Sequence, residues 1–380
     1  MVSKRRKSPV KRARTATRRT EPTKVVYLFG AGATQAEVSF DGPGNISVLM
    51  TDTPLGEGIS TGVLSKLGAQ GEPFKADKGT DIEKVISLLT ASGIEEHLAL
   101  AEEMRKHYFA EVCARLVAAI PVKKPSLAIA LLEMHSNASF RNNDESLSGV
   151  ITTNHDGLLQ AAFMDVFKAV DVGFPFDSND IAMPNGGSLP PLLQLHGSFT
   201  WGFGIPLAIT LLSDTLAYSA DASWIPPTVL KESKSYPFNK LIATAYELLT
   251  KRCDLLRIVG SSLTQNDWNI LSLIFNAQRH NMLLGTEPFP IHLIMPQKDG
   301  LAIRDSSTYL KNVLPIASIQ DGGNFKPYEK FDTDYPAVGD DEANPFYYWL
   351  KEKIIFHETK KSFGTSPLSA AMSKVAGGVP

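Results

Sequence analysis

Hydrophobic positions along the chain follow two alternating patterns. Nearly continuous apolar runs occupy 149–153 and end at Phe29, at Leu195, near Leu211, at Val259 and at Met295. Such runs are typical of parallel strands that are buried on both faces. Between them the spacing is helical, and one helix face collects Phe238, Leu241, Ile242, Ala245, Leu248 and Leu249. Strands that alternate with helices predict an α/β protein with a largely parallel sheet.

The segment between the first two predicted strands is long and mostly helical in pattern. Asp81 is placed to cap a helix over 82–89, and further helices are predicted over 94–120 and 126–135. Residues 41–80 are rich in glycine, proline and threonine without a sustained period, which predicts a long irregular loop. We therefore predict a helical insertion, residues 56–148, in the first crossover of the sheet.

The predicted fold is a doubly wound, mostly parallel Rossmann-like sheet. Its core comprises residues 23–55 and 149–300, and residues 301–360 form a C-terminal extension packed on this core. Ligands of such sheets bind outside the carboxyl ends of the strands. The polar residues that follow each predicted strand are therefore the candidates for a functional site.

Charge is distributed unevenly along the chain. Residues 1–20 hold nine basic residues and no acidic one, so the remainder has 29 basic against 40 acidic side chains. We predict a disordered basic arm over 1–22 and a loose tail over 361–380, because neither segment has the apolar content of a packed core. Such an arm either binds nucleic acid phosphates or an acidic partner, or is simply a solvated leader.

Composition also narrows the class of protein. The chain has two cysteines, Cys113 and Cys253, and no Cys-x-x-Cys pair, so we expect no structural zinc site and no other metal. No run of about 18 apolar residues occurs, and no apolar stretch follows the charged start. We therefore expect a cytoplasmic protein without a membrane partner.

Two polar clusters follow the first two predicted strands. The segment Gly30-Ala31-Gly32-Ala33-Thr34 can bring backbone N–H groups and a helix start to a diphosphate, or it can be a plain tight turn. The third glycine of the dinucleotide fingerprint is replaced by Gln35. The segment from Thr152 to Gly157 suits the floor of a pocket, and it suits an Asx turn that caps the next helix equally well.

Two more clusters follow later strands. His196, followed by Gly197, stands where a general base is useful near neutral pH, although a single histidine is more often a hydrogen-bonded structural residue. Gly260, Ser261 and Ser262 offer backbone and hydroxyl donors to a ribose or phosphate, and Asn266 and Asp267 are predicted to cap the next helix.

In this order, the four clusters resemble the catalytic domain of the sirtuin (silent information regulator) family. The resemblance implies an enzyme that binds NAD and cleaves its nicotinamide–ribose bond. It implies that Gly30, Ala31, Gly32, Ala33 and Thr34 cradle the NAD diphosphate, and that Gly260, Ser261 and Ser262 hold the adenosine half. Thr153 and Gly197 complete the predicted NAD-binding set.

The resemblance also assigns catalytic roles. Asn154 contacts the nicotinamide ribose and helps to place the nucleophile, Asp156 holds the nicotinamide carboxamide, and His196 acts as base on the ribose hydroxyls. Such a reaction mainly needs an oriented ring and a placed water, because the leaving group is already a good one. Asn154 and His196 suit this chemistry without a metal.

Several departures from the deacylase pattern point to one branch of the family. Thr153 stands where Gln is usual, the arginine-bearing stretch after the first motif is absent, and the four-cysteine zinc ribbon cannot form. These features resemble the sirtuin-like NADases of bacterial antiphage defence, which deplete NAD, and some of which assemble with a HerA-type ATPase. The resemblance implies a homo-oligomer that a partner switches on during abortive infection.

Two alternatives to NAD hydrolysis stay open at this stage. The same site can transfer ADP-ribose to protein or nucleic acid when another nucleophile replaces water. A non-enzymatic alternative is a scaffold subunit that binds NAD or ADP-ribose and holds DNA through residues 1–20.

Overall fold

The computed structural model describes the chain in separate ranges. These are 21–39, 58–74, 81–119, 126–136, 145–173, 189–202, 211–212, 215–216, 222–226, 231, 234–261, 263, 267–286, 288–295, 325–327, 344, 346–347 and 349–350. Residues 1–20 of the predicted arm, the predicted tail at 361–380 and most of the predicted extension at 301–360 lie outside these ranges.

The described strands are short. They are β1 (Thr23–Phe29), β2 (Glu145–Thr152), β3 (Leu192–Gln194), β4 (Gly197–Gly202), β5 (Leu211–Leu212), β6 (Thr215–Leu216), β7 (Ala222–Trp224), β8 (Leu255–Val259), β9 (Ile291–Ile294) and β10 (Phe325–Pro327). Of these, β1, β2, β3, β8 and β9 are mostly buried. The described helices are α1 (Ala31–Ser39), α2 (Gly58–Lys66), α3 (Ile82–Ala91), α4 (Glu95–Ala119), α5 (Ser126–Ser136), α6 (Leu158–Phe167), α7 (Phe238–Lys251) and α8 (Trp268–Leu283).

Six parallel strands form the central sheet, in the order β3-β2-β1-β8-β9-β10. The chain moves outward from β1 to β3, returns to place β8 beside β1, and then moves outward on the other side to β10. This order confirms the predicted doubly wound α/β fold. The order reverses between β1 and β8, and at such a switch point the two outgoing turns diverge and leave a crevice.

A buried ion pair extends β2 beyond its predicted start. The strand begins at Glu145, four residues before the predicted run, and its carboxylate accepts two bonds from the Arg257 guanidinium at 2.6 and 2.8 Å. Arg257 lies on β8 and also donates to the Tyr27 hydroxyl of β1 at 2.9 Å. This charge-assisted contact joins three neighbouring strands and compensates the burial of the guanidinium.

Helices α2, α3 and α4 form a hydrophobic cluster of their own within the first crossover. It contains Ile59, Val63, Met104 and Ile86, with Phe199 of β4 at its edge. The predicted irregular loop over 41–80 is therefore wrong for 58–74, which holds α2 and two short 3-10 turns. By contrast, α5 packs on α6 and on the main core. The bounds given above for the helical insertion, residues 56 and 148, stay a prediction.

The two predicted helix caps that lie within the described residues have different outcomes. Asp81 caps α3 by accepting a hydrogen bond from the Glu83 amide at 3.0 Å, as its position predicts. The predicted cap at Asp267 is wrong in its chemistry, because this residue precedes α8 without a side-chain cap bond and its carboxylate contacts Lys231 instead. Asn266 lies outside the described residues.

Described residues near the C-terminus pack over β1. Phe346 meets the Phe29 ring edge-on at 5.6 Å, and Trp349 meets Tyr27 at 6.1 Å. The Asn344 amide donates to the Ala36 carbonyl of α1 at 2.8 Å. One wall of the region beside β1 is thus supplied by the far end of the chain. Within the described ranges, no helix is both long enough and apolar enough to cross a membrane.

Candidate functional site

The turn after β1 packs directly against the turn after β8. The Gly30 amide donates to the Val259 carbonyl at 2.9 Å, and the Gly32 amide donates to the Gly260 carbonyl at 2.8 Å. A Cβ on Gly260, whose φ is +58°, would lie 2.3 Å from the Ala33 nitrogen. Glycine is therefore required where the two backbones touch. Helix α1 begins immediately, with Ala31 and Gly32 exposed at its positive end.

Three polar side chains from two separated turns form one hydrogen-bonded chain. The Asn154 amide nitrogen donates to the Thr34 hydroxyl at 2.8 Å and to the Gly30 carbonyl at 2.8 Å. The Thr34 hydroxyl donates in turn to an Asp156 carboxylate oxygen at 2.6 Å. The other Asp156 oxygen accepts from the Leu158 amide at 3.0 Å and so starts α6. The Asx turn expected at this position and the pocket floor are therefore the same structure.

Neighbouring strands hold the backbone of this turn in place. The Thr153 amide donates to the Phe29 carbonyl at 3.1 Å, across the β1–β2 pair. The side-chain amide of Gln194, on β3, donates to the Asp156 backbone carbonyl at 3.0 Å. Its oxygen accepts from the side-chain amide of the buried Gln160, on α6. Because these amides are fully buried and mutually satisfied, they fix where Asn154 and Asp156 project.

A crevice opens beside this hydrogen-bonded chain. It has about 250 Å³ of empty space, open solvent included, and its walls are Phe29, Ala33, Thr34, Glu37, Ala128, Asn154, Asp156, Leu158, Leu159 and Phe346. Its lining therefore combines polar groups with aromatic and aliphatic side chains. The space open to a ligand is about that of one water molecule, so a larger group enters only if these walls separate.

Two carboxyl groups face this crevice, and both have raised pKa values. Exclusion of water raises the pKa of Glu37 to about 8, against hydrogen bonds from the Ala128 and Leu127 amides, and the charge of Asp156 adds to the rise. Exclusion of water also raises the pKa of Asp156, although the Thr34 and Leu158 hydrogen bonds oppose it. Perturbed carboxyls in a crevice are typical of functional sites.

His196 lies after β3 in a closed region beside His155, with 6.0 Å between the ring centroids. Its Nε2 atom is buried and has no hydrogen-bond partner among the described residues. The pKa of His196 lies well below its ordinary value, first because of burial and then because of Lys231 and His155, while a hydrogen bond to the Thr153 backbone opposes the shift. A neutral imidazole with an unoccupied nitrogen is a proton acceptor.

A buried lysine joins this region to the helical cluster. The Lys231 ammonium lies 3.6 Å from the Glu83 carboxylate of α3 and 3.4 Å from that of Asp267, which precedes α8. Burial and then the Lys231 charge lower the pKa of His155 to about 3, so both imidazoles stay neutral. His155 is further held between Phe199, on which it stacks at 5.0 Å, and Trp224.

The structure brings most of the predicted site residues to one end of the sheet. Gly30, Ala31, Gly32, Ala33, Thr34, Thr153, Asn154, Asp156, Gly260 and Ser261 all follow β1, β2 or β8. His196 and Gly197 follow β3. Of the predicted site residues, those that line the crevice described above are Ala33, Thr34, Asn154 and Asp156. Ser262 lies outside the described residues. The role of each residue toward NAD stays a prediction.

Sequence patterns missed three contributors to the site. Glu37 has no motif around it, although its position three residues after Thr34 places both on one face of α1. Phe346 and Lys231 come from distant parts of the chain. Phe346 lies in the extension predicted to pack on the core, but no motif assigns either residue to the site. Within the described ranges, no group of three or more His, Cys, Asp or Glu side chains is arranged to hold a metal ion.

Comparison with known proteins adds a structural likeness only. No protein-family model matches the chain, and no curated protein matches it. Twelve chains of solved structures match, among them a mutant Sir2 homologue in complex with 2'-O-acetyl ADP-ribose. That structure is 14% identical, with a TM-score of 0.33, and the match covers 77% of this chain and 94% of that one. At these values we assign no residue by analogy.

Proposed function

We propose that the chain binds NAD at the switch point between β1 and β8 and hydrolyses its nicotinamide–ribose bond. The observation that carries this proposal is the hydrogen-bonded chain of Asn154, Thr34 and Asp156 along one side of the crevice. In this assignment the exposed start of α1 receives the diphosphate through the helix dipole, because the Gly30 and Gly32 amides already donate to the Val259 and Gly260 carbonyls. Gly260, Ser261 and Ser262 receive the adenosine half.

Hydrogen bonding in the protein determines what Asn154 offers a substrate. Both of its amide hydrogens are used, by the Gly30 carbonyl and the Thr34 hydroxyl. Its oxygen is therefore the atom left for a ligand, and an oxygen accepts. It suits a water molecule or ribose hydroxyl whose oxygen must be oriented toward the anomeric carbon.

The proposed reaction is balanced without a further reactant. The bond between the nicotinamide nitrogen and the ribose carbon breaks, and its electron pair leaves with nicotinamide. The ribose carbon gains oxocarbenium character, and a water oxygen bonds to it. The water proton passes to Nε2 of His196, so that NAD and water give nicotinamide, ADP-ribose and a proton.

Burial of the His196 Nε2 atom supports a restrained resting form. A buried polar nitrogen without a partner is costly, and a base enclosed in this way reaches no substrate until the region opens. We propose that assembly, as a homo-oligomer and with an ATPase of the HerA type, opens it in antiphage defence and so depletes NAD. The basic segment over residues 1–20 is the proposed contact for nucleic acid.

Product analysis tests the proposed activity. The full chain, with and without a candidate ATPase partner, is incubated with NAD, and the products are separated. We expect nicotinamide and free ADP-ribose in equal amounts. We also expect at least a hundredfold loss of turnover in Asn154→Ala and in His196→Ala, since each variant lacks a group that acts on the attacking water.

Asn276→Ala and His107→Ala are the matched controls, because both residues lie on the outer faces of helices, α8 and α4 respectively. Full turnover in the Asn154 and His196 variants contradicts the proposed site. ADP-ribose attached to protein or nucleic acid, in place of free ADP-ribose, contradicts hydrolysis and supports transfer.

A further inference from the structure

Two separated parts of the chain supply the groups proposed to act on water. Asn154 follows β2, and His196 follows β3. The side-chain amide of Gln194, two residues before His196, donates to the Asn154 carbonyl at 3.5 Å and to the Asp156 carbonyl at 3.0 Å. Gln194 is fully buried, so its amide serves the protein and not the solvent. It connects the two parts directly.

Other bonds join the same two parts. The His155 carbonyl accepts from the Phe199 amide at 2.8 Å. The Thr153 carbonyl accepts from the imidazole of His196, and this bond uses Nδ1, because Nε2 has no partner among the described residues. Together with the two bonds above, four consecutive carbonyls of the turn accept from one short segment around His196. The same contacts leave Nε2 as the basic nitrogen.

A second buried glutamine fixes the orientation of the Gln194 amide. The NH2 group of Gln194 faces the two carbonyls, since a carbonyl only accepts. Its oxygen accepts from the Gln160 amide of α6 at 2.5 Å, and the Gln160 oxygen accepts in turn from the Thr200 hydroxyl of β4 at 2.6 Å. Rotation of either amide would bring two oxygens or two NH2 groups together. One arrangement therefore satisfies both amides.

We propose that Gln194 is a positioning residue for NAD hydrolysis. It holds the Asn154 oxygen and the His196 Nε2 atom at a fixed separation, so that both act on the same water. Gln160 and Thr200 orient Gln194, which acts through the backbone of the turn and not by contact with NAD. This inference rests on the function proposed above.

Positioning of this kind affects the chemical step more than substrate binding. Two groups that act on one water must each lie within about 3 Å of it. A displacement of about 1 Å costs on the order of a hundredfold in rate. The proposed contacts with the diphosphate and the adenosine follow β1 and β8, which lie two and three strands away from β3. Loss of Gln194 should therefore lower kcat and leave KM nearly unchanged.

The variant Gln194→Leu tests this in the full chain, under the conditions in which the wild type cleaves NAD. Leucine keeps most of the volume but has no donor, so we expect kcat to fall about tenfold to a hundredfold, with KM within about twofold of the wild type. Gln278→Leu is the matched control. Gln278 lies on α8, is equally buried, and donates to the Phe289 carbonyl at 3.1 Å. It should lose stability in urea as Gln194→Leu does, and keep the wild-type kcat.

The variant Gln194→Glu gives a readout that a loss of packing does not. Its carboxyl donates to the carbonyls of the turn only when protonated, and repels them when charged. The ratio of its kcat to the wild-type kcat should therefore fall as pH rises from about 5 to about 9, the range in which a buried carboxyl loses its proton. The ratio removes the titration of Asp156, His155 and His196, which both proteins share.

A kcat in Gln194→Leu equal to that of the Gln278 control, a rise of KM in place of a fall of kcat, or a flat ratio in Gln194→Glu overturns the inference. If Gln194→Leu does not fold, the pH profile decides together with Thr200→Val, which removes the donor to Gln160 and should lower kcat at unchanged KM. If the wild type cleaves NAD in any of these cases, the proposed function stands. If it cleaves no NAD, with or without the ATPase partner, the proposed function and this inference fail together.

Discussion

At the scale of single residues, the Thr34 hydroxyl determines the geometry of the site. It accepts from Asn154 and donates to Asp156, so one oxygen orients the amide and the carboxylate that face the crevice. All three side chains are buried, and bonds of this kind strengthen one another where water is excluded. Loss of this hydroxyl therefore affects both neighbours.

Replacement of Thr34 by Val tests this role. Valine keeps the shape of threonine but leaves an Asn154 N–H and an Asp156 oxygen without their partner, so we expect the free energy of unfolding to fall by about 1–3 kcal/mol. Thr34→Ser keeps the hydroxyl and loses a methyl group, at a cost of roughly 1 kcal/mol. Urea denaturation at pH 7 measures both, and a valine variant more stable than the serine variant contradicts the account.

Residues of the site were predictable from sequence where a strand end marked them. Thr34, Asn154 and Asp156 each follow a strand of the sheet within a few positions, and parallel strands bring their carboxyl ends together. Glu37 was not predictable, because the burial that raises its pKa and its bonds to amides of α5 both arise from long-range packing. Phe346 and Lys231 were missed for the same reason, since only long-range packing brings them to the site.

At the scale of secondary-structure elements, the contact between the two glycine turns sets the width of the switch point. Gly32 and Gly260 touch backbone to backbone, with the Gly260 Cα 2.9 Å from where a Gly32 Cβ would lie. The starts of α1 and of the segment after β8 are therefore fixed relative to each other. The proposed diphosphate position depends on this contact.

The variant Gly260→Ala should widen or break this contact. Its Cβ meets the Ala33 nitrogen at 2.3 Å and its φ is +58°, so we expect a loss of well over the roughly 1–2 kcal/mol that left-handed strain alone costs. Gly93→Ala, whose φ is +67° with no atom within 4 Å, is the control for strain alone. Thermal unfolding compares the two, and equal losses contradict a packing role for Gly260.

Helix α2 shows why part of the first crossover was not predictable. Its sequence contains two glycines and three β-branched residues, which are poor helix formers. The helix forms because Ile59, Val63 and Leu64 pack against the cluster with α4. Gly62 allows Glu111 to approach α2 closely, because a Cβ at position 62 would lie 2.7 Å from the Glu111 carboxylate. Tertiary packing therefore overrides local propensity here.

At the scale of the whole molecule, Lys231 joins the helical cluster to the sheet. The Lys231 side chain is 4% exposed. Its ammonium contacts the carboxylate of Glu83, in the helical cluster, and that of Asp267, before α8. It also helps to keep the pKa values of His155 and His196 low. Lys231 therefore connects the helices to the His196 region and adds to the effect of burial, which is the main reason why both histidines stay neutral.

Replacement of Lys231 by Met tests this connection. Two poorly solvated carboxylates lose their cation, so we expect the free energy of unfolding to fall by roughly 3 kcal/mol. Lys251→Met, which removes an exposed partner of Glu247 within α7, should leave stability almost unchanged, because water screens this pair. Urea denaturation at pH 7 measures both variants, and similar losses would mean that Lys231 does not stabilise the assembly of the two parts.

The position of bound NAD tests the central claim most directly. A crystal structure of the His196→Ala protein with NAD is expected to show the nicotinamide ring in the crevice beside Thr34, Asn154 and Asp156. A ribose hydroxyl or an ordered water should lie about 3 Å from the Asn154 amide oxygen. Nicotinamide bound elsewhere, or an Asn154 oxygen directed away from the ribose, contradicts the account.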